Sequence, residues 1–183
     1  MNPKAFDTLG GIPSHPLLVH LPVVVVPVAM LFALLALWQK ARTTALWTAA
    51  VAAVLGFVGA VLAAGSGESL VHSVKRSDLL RRHTELGDQV QGYAGVFALL
   101  AVAALVIHLA RTDSLPFEKR LSPLTKRITP FAKKMSATAV TAVIACASVA
   151  GVVAAWQTYN AGHSGAKAVW DGVKIVDSGH DDD

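Results

Sequence analysis

Four long stretches of this 183-residue chain contain no Asp, Glu, Lys or Arg: 17–38, 44–64, 90–110 and 137–156. Charged residues make up only 15% of the chain against 54% hydrophobic, and the apolar residues come in blocks. A soluble bundle needs a polar stripe on each helix, and none of the four stretches carries one. Strict alternation of polar and apolar residues is also missing, which argues against a membrane barrel. There is one cysteine, Cys146, so neither a disulfide framework nor a Cys-x-x-Cys metal site is available, and the thiol reads as a small packing residue. The chain has no His-Glu-x-x-His, Gly-x-Ser-x-Gly or Walker loop and no pair of intramembrane carboxylates. Hydrolase, nucleotide-driven and carboxylate proton-pump readings lose their support, and no catalytic residue is assigned. No internal repeat is evident.

What remains is an integral membrane protein. Each uncharged stretch has about the 20 residues that a helix rising about 1.5 Å per residue needs to cross a hydrocarbon core of about 30 Å. The expected fold is therefore all-α: a four-helix membrane bundle over 17–160, preceded by an N-terminal segment 1–16 and followed by a cap and acidic tail at 161–183. The first stretch is long for a signal peptide, lacks a small-x-small cleavage site, and reads as a retained helix.

Four spans put both termini on one side of the membrane. Lys40, Arg42, Arg111, Lys119, Arg120, Lys126, Arg127, Lys133 and Lys134 fall on the opposite side, leaving seven of the sixteen basic residues with the termini. By the positive-inside rule the termini are extracytoplasmic, in a cell (inner) membrane. Trp38 and Trp47 mark one interface and Tyr93, Trp156 and Tyr159 the other. The long basic connection after span three carries Pro116, Pro123 and Pro130 with interspersed apolar residues, and reads as short helical turns on anionic headgroups, not as a nucleic-acid surface. Pro22 and Pro27 should bend the first span. The small residues Gly56, Gly59, Ala60, Ala63 and Ala64 suit close packing of helices, or of a flat ligand.

The histidines carry the functional expectation. His15, His20, His83, His163, His72 and His180 all fall on the side of the termini, and only His108 lies at the other end. His20 sits inside an apolar stretch, where an imidazole needs a partner. His15 is five residues earlier, about 140° round the helix. His83, Gly87, Gln91 and Gly95 recur every four residues, so they share a face, and Gly87 leaves a gap beside the imidazole. Facing histidines in a bundle can hold b-type haem, and neutral imidazole also binds Zn, Cu or Fe. Arg81 and Arg82 are candidate partners for haem propionates.

The segments His15-Pro-Leu-Leu-Val-His20-Leu-Pro22, Gly65-Ser-Gly-Glu68, Arg82-His83-Thr-Glu-Leu-Gly87 and Gly162-His163-Ser-Gly-Ala-Lys-Ala-Val-Trp170 occur in an order that resembles a family of small bacterial four-helix integral membrane proteins of unknown function. The resemblance covers roughly 11–175. Leu21 stands where that family often has an aromatic residue. The resemblance implies a fold and topology, and singles out His15, His20, His83 and His163 over His72, His108 and His180.

The leading expectation is a site for haem b, or for a transition metal, lined by His15, His20, His83 and His163, with His20 and His83 as the preferred metal ligands. Electrons would pass to or from a quinone or a redox protein. The competing expectation is an accessory or scaffold subunit of a larger membrane complex, one with structural histidines and no cofactor.

Overall fold

The computed structural model of the protein describes Thr8, Leu9 and residues 11–71, 74, 76–112 and 122–171. A two-residue antiparallel pairing opens the chain, β1 (Thr8–Leu9) against β2 (Ile12–Pro13). Gly11 turns between them with φ +84°, a left-handed conformation that favours glycine. Among the described residues six helices follow: α1 (His15–Leu18), α2 (His20–Leu35), α3 (Arg42–Val71), α4 (Asp78–Arg111), α5 (Ser122–Lys134) and α6 (Ala137–Trp170).

Four spans long and apolar enough to cross a membrane result: α1 with α2, then α3, α4 and α6. The break at Val19 between α1 and α2 falls where Pro22 has no N–H to give the carbonyl of Leu18. Ser77 and Ser136 cap α4 and α6, each accepting a hydrogen bond from the backbone N–H three residues on. Arg42 closes the far end of α2. Its Nε donates to the carbonyl of Ala36 at 3.1 Å, and its Nη2 donates to Leu37 and to the Thr141 hydroxyl.

Each span packs on its neighbours in sequence, and α6 returns to α2, closing an up-and-down bundle. The core is built mainly of alanine, with Phe97, Leu46, Ile144 and Val26 as its largest buried apolar side chains. Small residues bring the backbones together: a Cβ at Gly56 would stand 2.7 Å from Val26, and one at Gly151 would stand 2.9 Å from Phe97. Gly56 and Gly59 thus serve helix packing, against Val26 and against Leu21 with Pro22. The large apolar residues point the other way, with Leu99 70% and Val149 64% exposed. Small inside and large outside is a surface made for lipid, not water. Cys146 belongs to that outward face and is not a core packing residue.

The helices outrun the uncharged stretches. Span three starts at Asp78, well before Val90, and α6 continues unbroken past Trp156 to Trp170. A run of uncharged residues measures the hydrocarbon it crosses, and the helix goes on as long as its residues favour it. Ala166, Lys167 and Ala168 do so. Residues 161–170 are therefore the last turns of α6, not a separate cap, and 172–183, with His180 and the terminal aspartates, lie outside the described residues. The amphipathic connection is helical as expected, in α5, although 113–121 also lie outside.

Candidate functional site

The projecting ends of α3, α4 and α6 surround the start of α1, and two histidines meet there. Nδ1 of His15 lies 2.9 Å from the carbonyl oxygen of Ala63 and 3.2 Å from Oγ of Ser66. A carbonyl only accepts, so this nitrogen carries the proton. The Ser66 hydroxyl gives its own proton to Ala63 at 2.8 Å and offers the His15 N–H a second acceptor. Gly67 leaves room for the ring, because a Cβ there would stand 2.9 Å from Cε1 of His15.

His83 repeats every element of this arrangement on the other pair of helices. Its Nδ1 lies 3.0 Å from the carbonyl of Ala161 and 3.2 Å from Oγ of Ser164, and the Ser164 hydroxyl donates to Ala161 at 2.7 Å. A Cβ at Gly165 would stand 2.9 Å from Cε1 of His83. The sequence behind both is Ala-x-x-Ser-Gly, at Ala63 to Gly67 and again at Ala161 to Gly165. The chain therefore does contain an internal repeat, one histidine and one Ala-x-x-Ser-Gly turn in each half. Ser66, Ser164, Gly67 and Gly165 are site residues that the sequence reading did not single out, and the recurring pentapeptide is the signal that could have found them.

The two rings meet in an edge-on, T-shaped arrangement, with centres 6.2 Å apart and planes at 73°. With both Nδ1 atoms committed to carbonyls, each imidazole is the tautomer whose Nε2 has a free lone pair. Holding one ring nitrogen on a backbone carbonyl is also how proteins orient an imidazole ligand and raise its basicity. The carbonyls and hydroxyls that hydrogen-bond the two rings are uncharged. Among the described residues no group of three or more His, Cys, Asp or Glu is placed to hold a metal ion.

The other expected residues stand apart from this pair. His20 is exposed, and its Nδ1 bonds the carbonyl of Pro16, four residues earlier on α1. His163 is also exposed and stacks on Tyr159 at 5.8 Å, continuing a stack that begins at Trp156. Arg81 is held by Glu85 at 3.1 Å and Asp78 at 3.8 Å. Arg82 lines a hollow between α4 and α6. A Cβ at Gly87 would meet nothing within 4 Å, so the face one turn beyond His83 is open. His108 lies at the far end of the bundle, 2.9 Å from the Thr43 hydroxyl. His72 is outside the described residues.

No curated protein and no solved structure matches the chain. The family described as Predicted membrane protein (DUF2231) matches residues 11–177, a range that contains both histidines and both Ala-x-x-Ser-Gly turns. The protein is thus a member of that family, whose description records a membrane location and no activity.

Proposed function

We propose that His15 and His83 would hold a b-type haem between them, and that the protein would carry electrons to or from a quinone or a redox protein at one face of the membrane. The observation that carries this reading is the 6.2 Å between ring centres, with both Nε2 lone pairs free. Imidazole–metal bonds of about 2 Å, with each nitrogen about 1.1 Å from its ring centre, would put the centres of two imidazoles sharing one metal at most about 6.2 Å apart. The agreement supports a shared metal.

The size of the ligand set favours haem over a bare ion. A structural zinc wants four protein ligands and a catalytic zinc three, whereas a porphyrin brings its own four nitrogens and asks the protein for two. Bound there, haem supplies a one-electron ferric–ferrous couple. His15 and His83 would each offer an Nε2 lone pair, the carbonyls of Ala63 and Ala161 fix the ring tautomers with Ser66 and Ser164 as second acceptors, and Gly67 and Gly165 let the rings sit against the helices. A transition ion held by the same two nitrogens is the second form of this reading. The distribution of basic residues supports an extracytoplasmic site, with both termini on that side of the cell membrane.

A visible spectrum of protein purified from iron-replete cells is the test. The expected result is a Soret band with one haem b per chain, lost in His15→Ala and in His83→Ala and kept in His20→Ala and His163→Ala. Protein with neither a Soret band nor stoichiometric metal overturns the proposal. If it then co-purifies with a respiratory or transport complex, the accessory-subunit reading takes its place.

A further inference from the structure

A second hollow lies at the same end of the bundle, outside the histidine pair. It measures about 210 Å³ and runs between α4 and α6, with Leu79, Arg82 and Leu86 from one helix and Asn160, Ser164 and Lys167 from the other. No acidic residue lines it. Among the described residues the ion pairs all involve Arg81, so Arg82 and Lys167 have no carboxylate within salt-bridge reach. Two like charges gathered in one hollow repel each other unless an anion lies with them.

The position says what kind of anion. Arg82 precedes the uncharged stretch of span three and Lys167 follows that of span four, so both stand at the level of the headgroups. Leu79 and Leu86 give the hollow an apolar wall. Trp156, Tyr159 and His163 form a continuous stack along the exposed side of α6, with successive ring centres 5.8 Å apart, and leave an aromatic rib leading from the bilayer to the hollow's edge. Leu86, about one turn nearer the bilayer than Arg82, and the aromatic rib below the cations match an amphiphile with an anionic head.

We infer that this hollow binds the phosphate of an anionic phospholipid, held between Arg82 and Lys167 with an acyl chain along the aromatic rib. The inference does not rest on haem at His15 and His83, although Ser164 joins the two sites, lining the hollow and accepting from the His83 N–H.

The test reconstitutes the full chain in vesicles of phosphatidylcholine, alone or mixed with phosphatidylglycerol, and counts retained lipids by native mass spectrometry after extraction. Wild-type protein is expected to retain one phosphatidylglycerol in preference to phosphatidylcholine. The double change Arg82→Gln with Lys167→Gln should lower that retention about tenfold or more. Arg82→Lys with Lys167→Arg should keep it, as should Arg76→Gln, which removes a cation elsewhere on this end. The wild-type preference tests the same point without any substitution.

Equal retention of both lipids, or unchanged retention in the glutamine double variant, overturns the inference. Two further arms address the source of the anion. Displacement of the lipid by inorganic phosphate would make free phosphate the ligand, and displacement on haem loading would give the hollow to a propionate. Either result also overturns it.

Discussion

Gly165 faces the ring of His83 so closely that a methyl group on its Cα would stand 2.9 Å from Cε1, and Gly67 stands in the same relation to His15. Both glycines lie inside long helices, where alanine is favoured by about 0.5–1 kcal/mol. Gly67→Ala and Gly165→Ala should therefore leave thermal stability unchanged or slightly raised while displacing the imidazole. The expected outcome is a melting temperature at or above wild type with haem occupancy reduced severalfold. Unchanged occupancy would mean that the rings are not positioned by these glycines.

Ser66 and Ser164 give each imidazole N–H a second acceptor beside the backbone carbonyl. Removing a group that orients an imidazole ligand typically weakens metal binding by about 10- to 100-fold, and Ser66→Ala or Ser164→Ala should do so when haem affinity is titrated. Ser148→Ala is the control. Its hydroxyl bridges Ala33 on α2 and Ile144 on α6, both at 2.9 Å, so its loss should lower stability and leave affinity unaltered. Equal effects of all three changes would argue that the two site serines act through helix packing alone.

The sequence brought His15 and His83 into view, because both lie near the edges of uncharged stretches and in recognisable motifs. It did not reveal that they meet. That depends on which spans are adjacent and on how each helix is rotated, and neither follows from residue spacing. The Ala-x-x-Ser-Gly turn was also hard to see, being made of small residues in a chain whose packing uses them throughout. His20 attracted weight for a sound reason, since an imidazole in an apolar stretch needs a partner. The Pro16 carbonyl four residues earlier supplies one, and a requirement met locally leaves no call for a cofactor. The spans themselves were legible from the absence of charge, but their ends were not, because the helices continue into the headgroup layer.

Arg42 is 9% exposed and satisfies the last carbonyls of α2 while bonding Thr141 on α6. Arg42→Ala should cost about 2 kcal/mol in unfolding free energy, as expected for the loss of charge-assisted bonds to otherwise unpaired carbonyls. The change lies at the opposite end from the histidines, so the spectrum of the remaining folded protein should be that of wild type. A stability loss below about 0.5 kcal/mol, the range of ordinary surface changes, would remove Arg42 from the forces holding this end closed.

Orientation can be read with one thiol at a time. In a Cys146→Ser background, Ser77→Cys lies at the histidine end and Thr43→Cys at the other. A membrane-impermeant maleimide applied to intact spheroplasts should label the first and spare the second until the membrane is opened. The reverse pattern would place the histidine pair on the cytoplasmic side.

The interior between the four spans is filled by alanine methyl groups and by backbones drawn together at Gly56 and Gly151. This seam is an insulator: its tight apolar packing gives ions no polar route from one end of the bundle to the other. If the proposed electron exchange takes place at the His15–His83 pair, electrons would arrive and depart on the same face, and turnover there would do no work against the membrane potential and draw none from it.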